Sequence, residues 1–143
     1  MDELKRAGIT EVAFNLEMFD RKKACDYMPG KGSISITQYE DALTYSVSIW
    51  GHTGCVRSLL IYGFDSDEEF LRGIEALCQM GVEPIISIFR PLKNTEFEKL
   101  NPPPTIKIIS IYEKCKNIVE RYSLMLGPDC SMCQNNTLSF SDC

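Results

Sequence analysis

The chain has 143 residues, 44% hydrophobic and 24% charged, with a formal charge of −5; this is the size and balance of one globular domain, able to bury a core without disulfides or metal. No apolar stretch approaches the roughly 20 residues of a membrane span, Met1-Asp2-Glu3-Leu4-Lys5-Arg6 lacks the apolar centre of a signal peptide, and the absence of a basic run sets nucleic acid aside as a partner. A cytoplasmic location is expected. Seven cysteines is an odd count that does not suggest a secreted disulfide framework, and the Asn135-Asn136-Thr137 sequon is read as a chance match.

Glu3 to Gly8 reads as the last turns of a helix ended by glycine, followed by a buried strand from Glu11 to Leu16. Asn15 and Glu17 leave the carboxyl end of that strand, where α/β folds bind ligands. A helical stretch from Asp20 to Asp26 comes next, and the turn residues of Pro29-Gly30-Lys31-Gly32-Ser33 predict a loop. Thr37 to Glu40 has capping-box spacing and predicts a helix to about Gly51. Cys55 to Tyr62 is the second strand, closed by Gly63. Ser66-Asp67-Glu68-Glu69 is another capping box, opening a helix whose Phe70, Ile74, Leu77 and Cys78 share a face and which stops at Gly81. The third strand is Pro84 to Phe89. A loop with four prolines, Arg90 to Pro104, leads to a helix ending near Leu124 that carries Ile109, Tyr112, Cys115, Val119 and Tyr122 at helical spacing. Residues 125–143 form an irregular, cysteine-containing tail.

Strands alternating with helices predict parallel β/α units. Three such strands alone leave unpaired edges, so neighbouring strands or a partner are expected. Hydrolase and phosphate-loop signatures are absent, and no strand ends in a lysine suited to Schiff-base chemistry.

With Asn15-Leu16-Glu17, Val56-Arg57-Ser58-Leu59-Leu60-Ile61-Tyr62-Gly63 and Ile88-Phe89-Arg90-Pro91-Leu92 at its strand ends, the chain resembles the carboxyl-terminal half of a radical S-adenosylmethionine (radical SAM) enzyme of the biotin synthase and lipoyl synthase type. The resemblance covers about Glu3 to Leu124. It implies an α/β fold in which residues 1–124 form half of a partial TIM-type barrel of about six β/α units, here the fourth to sixth. It further implies S-adenosylmethionine as cofactor, a small-molecule substrate, and a missing amino-terminal half-barrel or a partner chain that supplies it.

Asn15 and Glu17 match the family's ribose-binding pair, against the alternative of a strand-end cap and a solvated carboxylate. Ile61 and Gly63 match the end of its Gly-x-Ile-x-Gly strand, whereas Leu59 replaces the first glycine and Ser66 a frequent glutamate. Arg57 stands where biotin synthase has a cluster-ligating cysteine; it suits a carboxylate of the cofactor or substrate, or an ion pair inside the barrel. Ser58 beside it joins the cofactor-binding candidates. Arg90 is the candidate for an anionic substrate, or for holding the loop it enters.

The family's Cys-x-x-x-Cys-x-x-Cys motif is absent, so the 4Fe-4S cluster expected in a full-length enzyme is not ligated by this chain, which is not expected to be catalytic alone. Cys130 and Cys133 are the candidates for an auxiliary metal or cluster, with an unligated pair and a redox dithiol as alternatives; Cys143 and His52 are unsupported additions. A nucleoside-binding module without chemistry, and a fragment of another parallel barrel enzyme, are the competing functions.

Overall fold

The computed structural model describes residues 1–51, 54–127 and 138. Three parallel strands, β1 (Val12–Ala13), β2 (Val56–Tyr62) and β3 (Glu83–Ile88), lie side by side in chain order. The helices are α1 (Asp2–Arg6), α2 (Arg21–Tyr27), α3 (Pro29–Gly32), α4 (Ile36–Trp50), α5 (Asp67–Gln79) and α6 (Thr105–Arg121).

Along β2 every second side chain is buried: Val56, Ser58, Leu60 and Tyr62. Val56, Leu60 and Tyr62 belong to one core cluster with Leu43 and Trp50 of α4, Phe70 and Leu77 of α5, and Ile111 and Val119 of α6. Because side chains alternate across a strand, Arg57, Leu59 and Ile61 occupy the other face, which carries no helix of this set. Register extends that face to β3, where Glu83, Ile85 and Ser87 pair with Arg57, Leu59 and Ile61.

The two sheet edges differ. On β3 the carbonyls of Pro84 and Ile86 accept from the N–H groups of Gly127 and Leu138, at 3.2 and 2.7 Å. Successive backbone groups alternate sides, so the N–H that Pro84 lacks would face this outer edge, and its ring costs the β2 ladder nothing. β1 is the opposite edge.

Several boundaries differ from the sequence expectations for local reasons. The cap of α4 is Ser35: its hydroxyl accepts from Gln38 N–H and the Gln38 side chain returns to the Ser35 N–H, so this box closes two residues before the one read at Thr37. Pro29 to Gly32, expected as loop, forms the single turn α3 with proline at its start. On α5 the expected face holds, Phe70, Ile74, Leu77 and Cys78 all being buried. On α6 the expected Cys115 and Val119 are buried together with Ile111 and Ile118, Tyr112 and Tyr122 pack against the core from its margin, and Ile109 is exposed.

Candidate functional site

The first strand does not stop cleanly after Ala13. Phe14 N–H donates to Arg57 O, and Glu17 N–H to Leu59 O; the pairs Ala13 with Arg57 and Glu17 with Leu60 mean that the chain advances from 13 to 17 while β2 advances from 57 to 60. One extra residue is accommodated, a bulge of a kind often found beside functional sites. Two side chains replace the interrupted ladder. Asn15 Oδ1 accepts from Leu59 N–H at 3.3 Å, and the buried Ser58 hydroxyl accepts from Leu16 N–H at 3.2 Å. Glu17 sits at φ +65°, a left-handed conformation that costs a non-glycine residue about 1 kcal/mol or more. Its carboxylate, 16% exposed, is held by Lys31 Nζ at 2.5 Å. Arg21 fixes the segment bearing Lys31 by donating to the carbonyls of Met18, Lys31 and Ile34.

At the end of β2, Gly63 has φ +128°, and a Cβ there would lie 2.8 Å from Phe89 Cβ and 3.0 Å from Pro103 Cγ. Only glycine lets these backbones meet. Two residues on, Asp65 is buried, and its Oδ2 accepts from the N–H groups of Phe19 and Asp20 at 2.8 and 3.4 Å, tying the end of β2 to the segment after β1. Its Oδ1 is buried without a partner among the described residues. Burial pushes the Asp65 carboxyl above its ordinary range, against the opposing pull of those two N–H groups and Lys23.

Phe64 is the centre of an aromatic roof over this end of the sheet. Its ring lies 4.5 Å from Phe89, 5.5 Å from Phe97 and 5.6 Å from Tyr27, so α2, the β2 end and the loop after β3 meet at one point. Beside the roof lies a cleft of about 320 Å³ lined by Ile61, Phe64, Ser87, Ile88, Phe89, Arg90 and Leu92.

Of the residues singled out from sequence, Asn15, Glu17, Ile61, Gly63 and Arg90 lie at the carboxyl ends of the strands, and Ile61 and Arg90 line one cleft. Arg57 and Ser58 are placed differently. Arg57 is at the amino end of β2, paired with Glu11 and, at 3.6 Å, with the buried Glu83; Ser58 faces the helices and is spent on Leu16 N–H. Cys130, Cys133, Cys143 and His52 lie outside the described residues. Among the described residues no group of three or more histidines, cysteines or carboxylates could hold a metal ion. Burial pushes the Cys78 and Cys115 thiols up to about 12, the behaviour of small apolar side chains packed in a core.

Sequence reasoning missed Lys31, Asp65, Ser87 and the aromatic roof. Asp65 was within reach, since it stands just beyond the glycine that closes a strand; the rings of Tyr27 and Phe97 come from a helix end and a loop, where no periodicity marks a neighbour.

The chain is similar to a bacteriochlorophyllide c C-7(1)-hydroxylase of Chlorobaculum limnaeum, with 24% identity over 123 residues. The match takes in 85% of this chain and 31% of the hydroxylase, so the chain spans about a third of the length of that relative. No protein-family model matches the chain, and no solved structure matches it. No described helix is long and apolar enough to cross a membrane.

Proposed function

We propose that the chain is a set of consecutive β/α units from a radical SAM-type barrel, and that the carboxyl ends of its strands bind the nucleoside of S-adenosylmethionine. The observation that carries this reading is the convergence of Asn15, Glu17, Ile61, Gly63 and Arg90 on one end of three parallel strands laid side by side in chain order, the end at which such folds bind ligands. The packing of α4, α5 and α6 on the face of β2 opposite Leu59 and Ile61 among the described residues suits a sheet that curls into a half-barrel. The distant similarity to a hydroxylase, of whose length the match covers 31%, supports an enzymatic context.

Asn15 and Glu17 fit a ribose diol with the groups they have left. Asn15 Oδ1 is engaged by Leu59 N–H, leaving two amide hydrogens as donors, and Glu17 retains Oε2 as an acceptor beside the Lys31 pair. The described cysteines do not fit an iron-sulfur cluster, so in this proposal the cluster is held elsewhere, by further β/α units or a partner chain. Those units would pair along β1, whose outer edge carries no strand among the described residues.

Isothermal titration with S-adenosylhomocysteine tests the nucleoside site. Saturable heat is expected, weakened about tenfold in Asn15→Asp, a variant that keeps the acceptor for Leu59 N–H but loses the amide donors. No heat, or an unchanged titration in the variant, would overturn the reading.

A further inference from the structure

The cleft beside the aromatic roof has a composition of its own. It is lined by the apolar residues Ile61, Phe64, Ile88, Phe89 and Leu92 and by two polar ones, the half-buried Ser87 and the exposed Arg90. Neither the Ser87 hydroxyl nor the Arg90 guanidinium has a hydrogen-bond or ion-pair partner among the described residues, whereas Arg57 and Arg121 are each paired with a carboxylate. Arg21 is likewise committed, to backbone carbonyls. Arg90 therefore differs from these in having its donors unspent where an apolar surface meets solvent. Leu92 is 66% exposed, leaving that apolar surface incomplete.

We infer that this cleft takes a flat, largely apolar ring system carrying one carboxylate, with the carboxylate on Arg90 and the rings against Phe64, Phe89 and Leu92. This rests on the reading of the strand ends as the ligand side, and names the substrate class for it. A planar guanidinium matches a carboxylate through two parallel N–H donors. The tilted arrangement of Phe64 and Phe89, 55° apart, leaves ring edges and faces that favour aromatic over aliphatic neighbours. A volume of about 320 Å³ falls at the small end of small-molecule sites, consistent with a ligand that extends out of the cleft. Tyr27, at the far side of the roof and exposed, would not touch the ligand.

Fluorescence titration with pyrenebutyrate, pyrenebutyramide and decanoate separates the contributions. The acid is expected to bind about tenfold more tightly than the amide, as for a charge-assisted bond near solvent, and more tightly than decanoate. Arg90→Gln should bring the acid down to the amide, and Leu92→Ser should weaken both pyrenes together; both residues are exposed, so the fold is spared. Equal binding of acid and amide, decanoate binding as well as pyrenebutyrate, or an Arg90→Gln variant indistinguishable from the parent overturns the inference. The S-adenosylhomocysteine titration is read separately: heat there with no discrimination here defeats the ring-acid site alone, whereas no heat there with discrimination here defeats the nucleoside site alone.

Discussion

Asp65 shows how one side chain can join two strand ends at a cost in pH sensitivity. Its Oδ2 holds two backbone N–H groups from the segment after β1, but its Oδ1 is buried without a partner among the described residues. Burial is the largest influence on it and raises its pKa above the ordinary 3.8. Below 3.8 the group is neutral whether the chain is folded or not. As pH rises the unfolded chain ionises first, while the folded chain keeps its proton up to the raised value, so this group's contribution to stability falls across that window. Asp65→Asn keeps an acceptor for Phe19 N–H and removes the charge. Urea unfolding at pH 3 and pH 7 should therefore show the variant gaining on the parent at the higher pH; an identical difference at both would refute the account. The residues that sequence could supply at this scale were those with one neighbour in the chain to explain them, such as Gly63 closing β2. The partner of Glu17 is Lys31, fourteen residues on, and nothing in the sequence of either residue announces the other.

At the scale of elements, strands and helices were legible where burial is periodic, and less so where short polar side chains compete for the same backbone. Both Ser35 and Thr37 have a polar residue three positions later, Gln38 and Glu40, so both satisfy the capping-box pattern. The structure closes the box at Ser35, which lets α4 gain the turn containing Ile36, a side chain packed against the core. Ser35→Ala should cost about 1 kcal/mol by removing the acceptor for an orphan N–H, whereas Thr37→Ala, inside an exposed first turn, should change stability by less than about 0.5 kcal/mol. Equilibrium denaturation of the two variants compares them directly, and a larger loss for Thr37→Ala would contradict the observed cap. The bulge at Asn15 and Leu16 was beyond a reading of the strand alone. It depends on the Ser58 hydroxyl lying opposite Leu16 N–H, a fact about the pairing of two strands 42 residues apart.

For the molecule as a whole, the contrast between the sheet's edges sets the expectation for how it is completed. β3 has two of its outward carbonyls occupied by Gly127 and Leu138. β1 turns the N–H groups of Val12 and Phe14 inward to Cys55 O and Arg57 O, so by alternation the Ala13 N–H faces outward, at an edge with no strand beside it among the described residues. The sequence pattern could foretell parallel β/α units because each unit's period is local. It could not say which edge would be bare, because that follows from where residues beyond α6 return to the sheet. Hydrogen exchange distinguishes the edges. Ala13 should exchange rapidly, while Phe14 and the central β2 amides of Leu60 and Ile61, with strands on either side, should be protected by about the stability of the whole fold. Ala13→Pro offers the complementary test, since a proline whose missing N–H would face outward is tolerated at an edge. If β1 is the docking edge, that variant should leave the thermal midpoint of the chain little changed and still prevent another strand from pairing there. Slow exchange at Ala13 in the isolated chain would mean that this edge is already covered, and would remove β1 as the place where further β/α units join.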